Sequence, residues 1–143
     1  MMKSKIKKII AFLLLLVICF SLFIFPVHAT DSIKSKYYNT VYTSANVHSG
    51  VLEISNSYTV TSSNFTNAEI HTYVERKSFG LIWTRVNIGQ PDNVWIDTSS
   101  SKTYVKNYYL SLSQTGTYRV TAEYRFYGSN GSESITKQQT VTY

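Results

Sequence analysis

Between Thr117 and Tyr127 every second residue is apolar. Tyr118, Val120, Ala122, Tyr124 and Phe126 fall on one side of an extended chain, and Thr117, Arg119, Thr121, Glu123 and Arg125 fall on the other. A period of two marks a β-strand with one buried and one wet face, the pattern of an antiparallel sheet. The turn-forming run Gly128-Ser129-Asn130-Gly131-Ser132 comes next, and a last strand is expected from Glu133 to Tyr143.

The rest of the chain from Thr40 follows the same logic less cleanly. Ser, Thr, Tyr and Val dominate, and no window shows the 3.6-residue apolar period of a helix. Leu52, Ile54, Tyr58 and Val60 share one parity, with Asn56 as an expected bulge. Ile70, Thr72 and Val74 alternate with His71, Tyr73 and Glu75. Lys77-Ser78-Phe79-Gly80 reads as a hairpin turn into a strand from Leu81 to Ile88. Pro91-Asp92-Asn93 is a second turn, before a short strand from Val94 to Asp97. On Lys102 to Leu112, Tyr104, Tyr108, Leu110 and Leu112 share a face. With a weak first strand from Val41 to Val47, the count is seven or eight. Strands at this spacing point to an all-β antiparallel sandwich over residues 40–143 with Greek-key connections. Residues 30–39 are polar and read as a flexible lead-in.

The last strand has two possible registers. One pairs Glu123 with Lys137 but turns Ile135 and Val141 away from the core. The other buries both aliphatics and brings Lys137 and Gln139 inward. Burying an aliphatic side chain is worth roughly 1.5–3 kcal/mol and an exposed ion pair roughly 0–1. The apolar register is therefore expected.

Residues 1–29 read as an export signal helix. Lys3, Lys5, Lys7 and Lys8 are followed by an uncharged run from Ile9 to Phe25, a helix-breaking Pro26, and Val27-His28-Ala29. That pattern predicts cleavage after Ala29 and a secreted protein. The apolar run of 17 residues is long for such a leader, so the alternative is an uncleaved N-terminal anchor with the domain outside the cytoplasm. Membrane contact is then expected only through that segment. Cys19 lies in the leader, which leaves the exported part without a disulfide, a thiolate or a Cys metal ligand. Four of the 14 Lys and Arg also lie there, so the exported part has ten basic and eight acidic side chains, net +2 instead of +6. Nucleic-acid binding, which needs a basic stripe, is not expected. Neither is membrane attack by a basic amphipathic helix.

Gln114-Thr115-Gly116-Thr117-Tyr118-Arg119-Val120 resembles the tyrosine corner of the immunoglobulin fold. The resemblance implies that Gly116 makes a tight turn and that the Tyr118 hydroxyl bonds back to upstream backbone. Val120 stands where an antibody domain has its second Cys. From about Ser49 to Tyr143 the chain is similar to small exported proteins of Gram-positive bacteria, through Leu81-Ile82-Trp83-Thr84-Arg85-Val86 and Thr117-Tyr118-Arg119. That resemblance implies export and an immunoglobulin-like sandwich, with no assigned activity.

Chemistry-bearing patterns are sparse. His48 and His71 have no partner at metal-ligand spacing, and no His-Glu-x-x-His occurs. Asp92 and Asp97 lack the Asp-x-Asp-x-Asp-Gly run of a calcium loop. Glu69 and Glu75 share a strand face roughly 20 Å apart, too far to act as an acid–base pair. Gly128 to Ser132 lacks the spacing of a nucleophile elbow. No cofactor is implied and no enzyme is expected. The aromatics remain: 17 in the exported part, 12 of them Tyr. Trp83, Trp95 and Tyr127 are the candidate ligand-binding residues, able to stack on sugar if exposed and to fill the core if not. The expected function is a non-enzymatic binding module for a protein or a cell-wall glycan, the carbohydrate-binding form being the alternative.

Overall fold

The structure, a computed structural model, describes residues 35–143. The leader (1–29) and the first part of the lead-in (30–34) lie outside the described residues. Eight strands follow in order: β1 (Tyr38–His48), β2 (Val51–Val60), β3 (Phe65–Ser78), β4 (Ile82–Arg85), β5 (Trp95–Ser99), β6 (Thr103–Ser111), β7 (Thr117–Gly128) and β8 (Gly131–Thr142). They form two antiparallel sheets. One has three strands in the order β1-β2-β6; the other has five, ordered β4-β3-β7-β8 with β5 also on β3. The connections β2–β3, β5–β6 and β6–β7 each pass from one sheet to the other.

β4 and β5 lie along the same edge of β3, one after the other. β4 pairs with residues 75–78 of β3 and β5 with residues 68–72. Val86 still donates its N–H to the Val74 carbonyl (2.9 Å) before the chain leaves the edge. Gly89 (φ 73°) and the 3-10 turn Pro91–Asn93 make the detour. β4 therefore ends at Arg85, short of the expected Ile88, because the chain leaves the edge of β3 for this detour right after the Val86 bond.

The core forms where the period-two faces meet. Tyr118, Val120, Ala122, Tyr124 and Phe126 all point inward from β7 and are at most 2% exposed. β8 takes the apolar register without a bulge: Tyr124 faces Ile135, Tyr118 faces Val141, and Glu123 faces Thr136 instead of Lys137. Ile135 and Val141 pack against the core. Asn56 corrects an expectation. It makes no bulge but sits in continuous register between Thr43 and Lys106, fully buried. Its Nδ2 donates to Thr72 Oγ1 on the facing sheet (2.7 Å). The inward parity of β2 therefore runs unbroken, with the Asn56 amide N–H bonded across the sandwich while its buried Oδ1 has no partner among the described residues.

Inward tyrosines do the same on a larger scale. Tyr124 donates to the Tyr42 carbonyl (2.9 Å) and shares a bond with Thr43 Oγ1 (2.8 Å), both on β1. Tyr58 donates to the Ser101 carbonyl (3.0 Å), and Tyr108 donates to the Asp97 carboxylate. Tyr118 donates to the Gln114 carbonyl four residues upstream (2.5 Å), and Gly116 between them holds φ at 145°. The end of the lead-in is also fastened. Tyr37 is 1% exposed and donates to the Gly131 carbonyl (3.0 Å), while Glu133 accepts from the Ser35 hydroxyl and from the Lys36 and Tyr37 amides. β1 accordingly begins at Tyr38, ahead of the expected first strand.

Removing the Tyr118 hydroxyl leaves the Gln114 carbonyl without its partner. Tyr118→Phe is expected to lower stability by about 1–2 kcal/mol in urea unfolding. An unchanged midpoint would show that the bond does not pin the β6–β7 connection.

Candidate functional site

The outer face of the five-stranded sheet carries an interlocked set of charges and rings. Odd-numbered residues of β3 and β7 point outward, so Tyr73, Glu75 and Lys77 lie beside Arg119 and Glu123. Trp83 of β4 stands opposite Lys77, and Arg85 opposite Glu75. Arg119 Cζ lies 4.4 Å from the Trp83 ring centre, and Arg85 Cζ lies 3.6 Å from that of Tyr73. Arg119 also donates through Nη2 and Nε to Glu75 Oε2 (2.7 and 2.9 Å). Each cation thus has an aromatic or carboxylate neighbour, a cation–π and ion-pair ladder of modest individual strength.

The three candidate aromatics do not converge. Trp83 is half-buried on this outer face, with Arg119 over its ring. Trp95 points the other way. It stacks on Tyr108 (4.6 Å between centroids, 16° between planes) and packs against the core beside Leu52, Val74 and Tyr118. Tyr127 is half-buried on the outer face, opposite Asn67 and Ser132. It stands eight residues along β7 from Arg119, about 27 Å away by strand rise.

Two other surfaces expose large apolar side chains. On the three-stranded sheet, Tyr42 (61%), Val105 (72%) and Tyr109 (63%) face outward. Register places Tyr42, Ser57 and Val105 in one row and Asn46, Glu53 and Tyr109 in another, with Ser44, Ser55 and Asn107 between them. The result is a flat surface of rings set among hydroxyl and amide groups. The signal was in the sequence: once Tyr104 and Tyr108 face inward, Val105 and Tyr109 must face out. The second surface is the β3–β4 turn, where Phe79, Leu81 and Ile82 are 96%, 86% and 61% exposed.

Two clefts lie among the described residues. One, of about 320 Å³, lies between β4 and the β6–β7 connection and is lined by Arg76, Thr84, Asn87, Gln114 and Tyr118. The Arg76 guanidinium is held there by the Gln114 side chain and by the Thr115 carbonyl (3.1 Å). The other, of about 410 Å³, is formed by the detour between β4 and β5 over His71 and Ile96. His71 Nε2 meets Glu69 Oε1 at 2.5 Å on that face. Among the described residues no group of three His, Cys, Asp or Glu side chains is placed to hold a metal ion. No protein-family profile matches the chain, and no curated protein matches it in sequence.

The two tryptophans should separate in mutagenesis. Trp95→Ala opens the core edge and is expected to cost about 2–4 kcal/mol in urea unfolding. Trp83→Ala forfeits a surface cation–π contact and should cost less than about 1 kcal/mol. Equal losses would contradict the assignment of the two rings to opposite sides of the sheet.

Proposed function

We propose that the chain is an exported, non-enzymatic binding module with an immunoglobulin-like sandwich, secreted by a Gram-positive bacterium. Its ligand is an extracellular protein or a cell-wall glycan. The observation that carries this reading is the outer face of the three-stranded sheet, where Tyr42, Val105 and Tyr109 stand uncovered. Tyrosine gives large contact area at low entropic cost, which suits recognition. The order of strands and the Tyr118 contact with Gln114 support the immunoglobulin-like assignment.

The carbohydrate reading is favoured by the make-up of that face. Rings for stacking alternate with Asn46, Glu53, Ser55 and Asn107, which offer hydrogen bonds to sugar hydroxyls. This moves the sugar-binding proposal from Trp95, whose ring is engaged with Tyr108, to Tyr42 and Tyr109. Trp83 and Tyr127 would contribute only as separate contacts on the opposite face.

Labelled protein should bind saturably to intact Gram-positive cells, and Tyr42→Ala/Tyr109→Ala should weaken that binding about tenfold or more. Loss after muramidase digestion of the wall identifies a glycan; loss after protease shaving of the cells identifies a protein. Absence of saturable binding, or full binding by the double variant, contradicts the proposal.

A further inference from the structure

We propose that the β3–β4 hairpin is a lipid-contact element that seats Phe79, Leu81 and Ile82 in the interfacial layer of an anionic phospholipid bilayer. This site is separate from the face argued above and rests only on the proposal that the chain is exported and processed after Ala29.

The first observation is projection. β3 pairs with β7 only as far as Arg76 opposite Tyr118, while β3 and β4 continue to Ser78 opposite Ile82. The tip therefore extends about 10 Å beyond the last β7 pair, by strand rise. Interfacial apolar groups sit about 5–10 Å into the headgroup boundary, so the reach fits. A specific protein interface needs about 800 Å² per partner, far more than three side chains on a two-stranded finger present.

The second observation is the backbone. Phe79 and Gly80 both take positive φ (50° and 72°), and Leu81 donates its N–H to the Ser78 carbonyl (3.2 Å). Two successive positive-φ residues in a hairpin turn favour Asn-Gly or Asp-Gly. The β1–β2 turn of this chain meets the same demand with Ser49 and Gly50 (φ 49° and 76°). At the β3–β4 tip the position holds a bulky aromatic at 96% exposure. A residue that neither suits its turn nor buries its ring points to a use outside the fold.

The third observation is charge. Behind the tip, Arg76, Lys77, Arg85 and Arg119 stand with Glu75 and, further back beside Tyr73, Glu123, so the cations outnumber the carboxylates by two. The exported part as a whole is nearly neutral, so this end holds a concentrated positive field, the complement of an anionic lipid surface. Trp83 lies just behind the apolar tip, with Lys77 Nζ 5.8 Å from its ring centre. An indole beside cations below an apolar tip is the usual composition at the headgroup level. The membrane contact thus comes from a hairpin, not from the amphipathic helix whose absence argued against it.

The test is flotation of the processed protein, beginning at Thr30, with vesicles of phosphatidylcholine alone or with about one-third phosphatidylglycerol. Binding is expected to the anionic vesicles only and to fall about tenfold or more in high salt. Phe79→Asn installs the residue the turn prefers. It should keep or raise the unfolding midpoint while weakening vesicle binding about tenfold or more. In a Trp95→Phe background, shallow brominated lipids should quench Trp83. No binding to anionic vesicles, or equal binding by Phe79→Asn, overturns the proposal. So does a wild-type protein that ignores vesicles while Phe79→Asn loses binding to cells, which would assign the tip to a protein.

Discussion

Phenol hydroxyls tie the two sheets together. A sandwich without a disulfide must hold its layers by packing alone or by bonds across the core. This chain uses inward tyrosines whose rings fill the interior and whose hydroxyls reach the other side. Tyr124 runs from β7 to the backbone and Thr43 of β1; Tyr108 runs from β6 to Asp97 of β5. Tyr118 and Tyr58 anchor the connections at either side of β6. Asn56 and Thr72 add a fifth tie. Each bond is worth only about 1 kcal/mol net, but a buried partner left unpaired costs about 1–3. The layers therefore have one arrangement that makes every tie, and slippage of β2 or β7 breaks two ties or more at once.

That interior frees the outside. Trp95 is drawn into the stack on Tyr108, and what remains exposed is arranged by strand parity. The outer face of the five-stranded sheet is closed by its own cation–π and ion-pair ladder. The three-stranded sheet keeps Tyr42 and Tyr109 uncovered. The broken edge strand leaves β4 short and carries the β3–β4 tip past the end of the sheet. Two surfaces of different chemistry result, a flat ring-and-amide face and an apolar finger on a basic base.

Most of the fold was legible because its signal is local. The alternation on β7 fixed which residues face the core, and the comparison of aliphatic burial with a surface ion pair selected the register of β8. Asn56 departs from the expected bulge because sequence shows its polarity but not the Thr72 hydroxyl that accepts its amide N–H across the core. β4 is shorter than its alternation implies because the chain leaves the edge of β3 after Val86, which the apolar pattern does not mark. The sites were less legible. Trp83 and Trp95 have similar neighbours in sequence, yet β4 and β5 present them to opposite sides of the same sheet. Phe79 read as part of a turn, and only its backbone angle and projection distinguish it from an ordinary loop residue.

Alkaline titration of the phenols tests the central claim most directly. Burial pushes Tyr124 up to about 12, and burial followed by the charge of Asp97 pushes Tyr104 upward as well. An unfolded phenol titrates near 10, so the folded state keeps protons that the unfolded state gives up. The stability these phenols contribute is fully present below about pH 10 and is lost as pH rises through about 12. Phenolate absorbance should then rise in two phases, the second coinciding with loss of the near-ultraviolet dichroism of the packed core. A single phase near the free-phenol value, with the packed core intact, would contradict a sandwich closed over its tyrosines.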